Sequence, residues 1–350
     1  MNTTNEDFLK SLQDRPTTWT LASIAWLLSC AFVWKLELMA LERNMASHHA
    51  KNSLHSTSKG TRDMSELKKL PWYTPEIGNK LNESMQTLLE EYGGILRYIQ
   101  EEHIHRVRDA AFEALPIGTI GEFWFLVLGL AEHPMYNRIV KRLTLGNDSP
   151  RPTLIDLGTC LGQDIRKLIY DGASPDQLLG VDKFPQFLTV GHELFQDHAI
   201  TKSCFKTADI FGEEEAGVLD TTRGSWDIVT SAQLLHAFDW AKQKQVVNLM
   251  FRLARGKGSW IAGLLTGGLQ GHSVPVPPPL VPAGIHVERY IHSAETLRQL
   301  FQEASDEAGL SVSIDVRYQE DPKSLYTSEI TKGFFTSPEA RLLFYFVEIL

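Results

Sequence analysis

The chain has 350 residues, 43% hydrophobic and 22% charged, which is enough apolar material for one large or two small domains with real cores. A formal net charge of -9 argues against the basic face that a nucleic-acid binder needs. Cys30, Cys160 and Cys204 form no C-x-x-C pair, so neither a disulfide framework nor a cysteine-zinc site is indicated, and a reducing compartment fits best.

Residues 1–16 read as an N-terminal tail, followed by an uncharged run over residues 17–34, TTWTLASIAWLLSCAFVW. As a helix this run reaches about 27 Å, against a bilayer hydrocarbon core of about 30 Å. Residues 17–40 are therefore expected to be a single-pass membrane anchor, with Trp19 and Trp34 at the interfaces. A buried core helix, an in-plane amphipathic helix and a signal peptide are the competing readings. The last is disfavoured by Glu6, Asp7 and Asp14 and by the lack of a small-residue cleavage site. Residues 41–69 read as a linker, rich in Ser, Thr, His, Lys and Asn without a hydrophobic period. Its His48-His49 pair has no further ligand nearby and is read as solvated.

Residues 70–150 read as a helical lid or substrate region. Apolar residues recur at helical spacing over 81–99, and 103–115 continues that pattern. Pro116-Ile117-Gly118 breaks it, 121–130 is a strongly apolar helix, and a further helix starting near Pro134 ends near Gly146. His103 and His105 lie two apart, so they face different sides of a helix and do not share a metal. Asn82-Glu83-Ser84 and Asn2-Thr3-Thr4 match the glycan acceptor pattern. Only Asn2 is a usable site, and only with the N-terminus lumenal.

After residue 150 strands and helices alternate. Strands are expected at 153–157, 178–181, 203–208, 226–231, 259–265, 312–318 and 342–349, and helices at 163–171, 184–195, 240–253 and 295–308. That alternation predicts an α/β fold, a parallel, doubly wound, Rossmann-like sheet of seven strands spanning 151–350. Ligands in such sheets bind at the carboxyl ends of the strands.

Three aspartates fall at those ends. Asp156-Leu-Gly158-Thr-Cys-Leu-Gly162 is a strand followed by a glycine turn, and it is not the G-x-G-x-x-G of a nicotinamide or flavin site. Gly158 and Gly162 let the backbone turn tightly and approach a ligand. The acid before the turn suits an ammonium group rather than a pyrophosphate, and S-adenosylmethionine carries one. Asp182 ends the second strand, where a carboxylate accepts two hydrogen bonds from a ribose diol. Asp209 ends the third and can accept a bond from an adenine amino group, with the amide of Ile210 serving a ring nitrogen. Lys183 and Gln163 complete the candidate cofactor set. Asp164 is partly explained as an anion near a helix N-terminus. Each aspartate alone could be a cap or turn residue; three on successive strand ends point to a ligand edge. Glu213-Glu214-Glu215 reads as a solvated loop.

These motifs, with Gly180-Val-Asp182, Thr207-Ala-Asp209-Ile-Phe, Leu235-His236-Ala-Phe-Asp239-Trp240, Pro71-Trp72-Tyr73-Thr-Pro75 and Ile120-Gly-Glu-Phe-Trp-Phe125, resemble class I S-adenosylmethionine-dependent methyltransferases. More narrowly they resemble the fungal biosynthetic methyltransferases that act on meroterpenoids and related secondary metabolites, over residues 70–350. Two features depart from that pattern: the apolar run at 17–34 and the Pro-rich loop at 272–284. The resemblance implies methyl transfer to an oxygen, a carboxylate or a hydroxyl, of a lipophilic small molecule. It also implies a homodimer. A cytosolic cofactor places the catalytic domain on the cytosolic side of the membrane. His236 is the candidate base or positioning residue, with a structural histidine bonded to a backbone carbonyl as the alternative. Trp72, Tyr73, Phe123 and Trp124, and more weakly Tyr290, are candidates for a substrate pocket wall, or for the core of the lid. A catalytically silent interaction module and an NAD-dependent oxidoreductase on a similar sheet are the alternative functions. The intact acidic edge and the missing dinucleotide motif count against them.

Overall fold

The strand-end residues owe their placement to a run of buried aliphatics. Leu154, Ile155 and Leu157 are fully buried in β1 (Leu154–Leu157), which makes it a central strand covered on both faces. The computed structural model describes residues 63–145, 150–212, 217–276, 286–321, 324–332 and 339–350. One compact unit, Lys59–Val274 with Glu288–Leu350, carries everything below. The apolar run at 17–34, the His48-His49 pair, Asn2, the acidic triplet at 213–215 and most of the Pro-rich loop lie outside the described residues. Among the described residues no helix is long and apolar enough to cross a membrane.

β1 is joined by β2 (Leu178–Asp182), β3 (Phe205–Thr207), β4 (Ile228–Ala232), β5 (Trp260–Gly267), β8 (Val312–Tyr318) and β9 (Arg341–Ile349) in one sheet of order β3-β2-β1-β4-β5-β9-β8. β6 (His272–Pro275) and β7 (Glu288–Ile291) form a separate pair. The chain starts in the middle of the large sheet, runs outward to β3, then returns to β4. The switch point therefore lies between β1 and β4. The expectation of an all-parallel sheet is corrected here: β9 runs antiparallel between β5 and β8. A parallel return after β8 needs a crossover, usually a long helix. The only helices described between β8 and β9 are Leu325–Glu329 and a single 3-10 turn, Ile330–Lys332.

Six longer helices matter for the site: α1 (Arg97–Ala114), α2 (Tyr136–Thr144), α3 (Gln163–Tyr170), α4 (Pro185–Phe195), α5 (Trp240–Leu253) and α6 (Ala294–Glu307). The helical pattern over 81–99 resolves into Glu83–Thr87 and a π-turn, Leu88–Tyr92, ended at Gly93-Gly94. Asn82 caps the first, its side-chain oxygen accepting the Met85 amide at 3.0 Å. The expected helix over 121–130 does not form. The segment instead makes short 3-10 turns, Trp124–Leu126 and Leu130–Glu132, with Phe123 left-handed at φ 60. Its apolarity reports burial, not helix. Gly121 packs so tightly on residue 72 that a Cβ would sit 2.2 Å from the Trp72 carbonyl oxygen, and the Gly121 carbonyl accepts the Thr74 amide. Tertiary contacts have overridden the local pattern.

Candidate active site

Backbone strain marks the turn after β1. Gly158, Cys160 and Gly162 all have positive φ, at 73, 53 and 76. The Gly158 and Thr159 amides both donate to the Val181 carbonyl, at 2.9 and 3.0 Å, which folds the turn over the end of β2. The two glycines have different causes. A Cβ on Gly158 would meet Leu234 at 3.0 Å, at the β4 side of the crevice. A Cβ on Gly162 would lie 2.5 Å from the Phe205 ring and 2.6 Å from the Arg166 guanidinium, so packing alone demands glycine there.

The three acids climb the carboxyl edge in steps. Asp156 pairs with Gly180, and Asp182, two residues further along β2, pairs with Thr207, two residues before Asp209. At about 3.3 Å per residue each acid lies one strand over and nearly 7 Å further out. Asp156 is deepest, 4% exposed, and accepts the Thr230 hydroxyl of β4 at 2.9 Å. Burial pushes its carboxyl up to about 6, helped by the charge of Asp182 and opposed by hydroxyls of the turn and of Thr230. Asp164, in the first turn of α3, is equally buried. It accepts the Leu130 amide at 3.1 Å, so it serves the segment before α2 as well as its own helix end. Burial, then the charge of Asp156, raises it well above the ordinary carboxylate range. Asp182 accepts the Cys160 and Phe184 amides, each at 3.0 Å, and burial raises it too. None of these three is balanced by a Lys or Arg among the described residues. Asp209 differs. It is one-third exposed, pairs with Lys183 at 2.7 Å and accepts the Phe211 amide at 3.0 Å. Ile210 packs its side chain against the core. Among the described residues the buried Oε1 of Gln163 has no hydrogen-bond partner.

Beyond β4 the chain turns at Gln233, held at φ 58 by its amide on the Leu264 carbonyl (2.7 Å) and its side-chain oxygen on the Thr266 amide (2.8 Å). The next turn, Leu235–Ala237, carries His236. Gln243 of α5 donates to the carbonyls of Phe238 and Tyr290, both at 2.9 Å, and the Tyr290 amide donates to Phe238 at 2.9 Å. His292 braces the same glutamine at 2.9 Å. This stitching lays β7 along the turn, so the Arg289 charge acts on His236. Burial first, then Arg289, lowers the His236 ring to about 3. Its Nδ1 has no hydrogen-bond partner among the described residues. Tyr290 itself packs edge-on against Trp240, ring centroids 4.9 Å apart. A cavity of about 450 Å³ shares Asp209 and Ile210 with the edge but runs away to Asn248 and Arg252, and neither Asp156 nor Asp182 lines it.

A meroterpenoid methyltransferase N-terminal domain model matches residues 72–126. The chain is 35% identical to the O-methyltransferase phiE of Fungal sp. (strain ATCC 74256) over 76% of its own length and 85% of that protein. It is 32% identical to the O-methyltransferase atr3 of Stereocaulon alpinum, over 72% and 70%. It is 33% identical to the asnovolin E/chermesin D methyltransferase nvfJ of Aspergillus novofumigatus, over 53% and 65%. The chain belongs to the fungal meroterpenoid methyltransferase family.

In this methyltransferase the matched N-terminal segment is mostly self-packed. Trp72 is 2% exposed and gives its indole N–H to the Pro116 carbonyl at 2.9 Å. Phe123 is fully buried, between His105 and the Arg108 guanidinium. Tyr73 donates to Asp109 at 2.8 Å and accepts from Arg108 at 2.8 Å. His103 is buried against the Leu194 carbonyl, 3.0 Å away. Trp124 stands apart: half-buried, it stacks on Tyr326 with rings 5.7 Å apart, under Lys80. Among the described residues no His, Cys, Asp and Glu cluster has metal-site form. Thr230, Gln233, Arg289 and Tyr326 escaped sequence reading because no motif marks them. The one available signal was position, since Thr230 and Gln233 flank the end of a buried strand.

Proposed function

We propose that this methyltransferase holds S-adenosylmethionine along the carboxyl edge of β1–β3 and methylates a carboxylate oxygen of a lipophilic, meroterpenoid-like molecule. One observation carries the cofactor reading. Asp156 is a buried acid and Asp182 a half-buried one, and neither has a cation beside it among the described residues. Buried charge is costly unless paired, and a ligand with a net positive charge completes the set. Asp156 and the turn would face the ammonium end, Asp182 the ribose hydroxyls, and Asp209 with the Ile210 amide the adenine. Gln163 offers its unpartnered oxygen to the same ligand. Gly158 keeps the turn open where a side chain would press on Leu234. Lys183 neutralises Asp209 and keeps that carboxylate in place.

When bound, the cofactor supplies a methyl group on a sulfonium. The remaining work of this chain is to orient the acceptor and exclude water. His236 is a weak base at about 3, and Arg289 places positive charge beside it. Both features favour an acceptor that is already an anion. A carboxylate is ionised near neutral pH and needs no base, whereas a hydroxyl does. His236 then serves by hydrogen bonding, and Trp124 with Tyr326 offers an apolar wall. The anchor reading of residues 17–34 belongs to this proposal, because a tether suits substrates that partition into lipid.

The test is calorimetric titration of S-adenosylmethionine into the full chain and its Asp182→Ala variant. Tight binding by the first and loss of roughly tenfold or more in the second supports the reading. Equal affinity in both removes it. Mass spectrometry then asks whether a terpenoid carboxylic acid gains one methyl as an ester while its hydroxyl analogue does not.

A further inference from the structure

Arg166 of α3 is buried, its side chain only 1% exposed, and its partner Asp197, just past α4, equally so. The pairing is a fork: Nε to Oδ2 at 2.6 Å and Nη2 to Oδ1 at 2.9 Å. The third nitrogen, Nη1, donates to the Leu161 carbonyl at 2.6 Å, inside the glycine turn. The guanidinium carbon lies 4.7 Å from the Phe195 ring centre and 4.6 Å from that of Phe205. Two glycines make room. A Cβ on Gly162 would sit 2.6 Å from Nη1, and one on Gly191 would sit 2.4 Å from the Leu161 oxygen. Asp197 has another partner. The Tyr92 hydroxyl, from the π-turn of the N-terminal segment, donates to its Oδ2 at 2.8 Å. Three consecutive contacts thus connect the N-terminal helical segment (the cap) to the turn that the acids surround.

Stability alone does not explain this assembly. A buried ion pair replaced by a well-packed apolar pair is often no less stable. An apolar pair, however, has no donor for the Leu161 carbonyl. With that carbonyl tied, Gly162 is kept left-handed and the Cys160 amide stays on Asp182, at 3.0 Å. We infer that Arg166 is a positioning residue that sets the shape of the cofactor turn, and that Tyr92, through Asp197, couples the cap to that shape. This rests on the S-adenosylmethionine reading above.

The experiment measures S-adenosylmethionine affinity by calorimetry at 20 °C on the full chain, with thermal melting recorded for every variant. Arg166→Met with Asp197→Leu removes both charges together, so neither is left unpaired. Its dissociation constant is expected to rise roughly ten- to hundredfold while its melting stays cooperative. Tyr92→Phe removes one hydroxyl, and a rise of roughly three- to tenfold is expected. It decides the matter where the double variant does not fold. A purely structural role would move melting temperature and leave affinity alone, so a folded variant binding within twofold of wild type overturns the inference while the cofactor reading stands. A wild-type chain that binds no S-adenosylmethionine overturns both.

Discussion

Asp156→Asn separates what the active-site acid costs the fold from what it does for the ligand. The unfolded chain releases this proton near the ordinary value of 3.8, the folded protein near about 6. Between those values only the folded state holds the proton, so stability falls as pH rises through that window and stays lower above it. A shift of about two units corresponds to about 3 kcal/mol. Asparagine keeps an oxygen for the Thr230 hydroxyl, at 2.9 Å in the native pair, and carries no charge. The variant should therefore melt higher than wild type at pH 8, by roughly 6–12 °C for a body of this size, and by little at pH 4. Differential scanning fluorimetry across that pH range reads both. Saturating S-adenosylmethionine should close much of the gap, because the ligand's positive charge stabilises only the wild-type carboxylate. A variant that melts lower at pH 8, or by an offset independent of pH, would refute the view of Asp156 as a strained, unpaired acid.

Arg166→Ala alone leaves Asp197 buried without its fork, and a loss of about 3–5 kcal/mol is expected in urea denaturation; a loss under about 1 kcal/mol would contradict the burial argument. His236→Gln keeps a donor and should retain most of the turnover, whereas His236→Ala loses it. Equal losses of about a hundredfold or more in both variants would make His236 a base after all. Lys183→Ala frees Asp209, and affinity for adenosine-containing ligands should fall only a fewfold, with added salt shrinking the difference, since the pair is half exposed. In fractionated cells the full chain should pellet with membranes and resist carbonate extraction, and deletion of residues 1–40 should release it. A full chain that stays in the supernatant sinks the anchor.

Local pattern carried the central strands, the glycine turn and the acids on the first three strand ends. Each is encoded within a few neighbouring residues: an aliphatic run, then a turn former, then a helix start. The resemblance of the whole ordered set located the family. The same local reading misplaced residues 121–130, because apolarity states that a segment is buried without stating its shape, and the shape came from contacts with Trp72 and Thr74. It also expected every strand to run parallel, because alternation is silent about a last strand that returns without a crossover helix.

Where the turn and the acids lie along the chain follows from neighbouring residues. What those acids become depends on their folded surroundings. Asp156 meets Thr230 across 74 residues and Arg166 meets Asp197 across 31. Charge state and turn geometry depend on such distant neighbours and on the water they exclude, and no short stretch of residues encodes either.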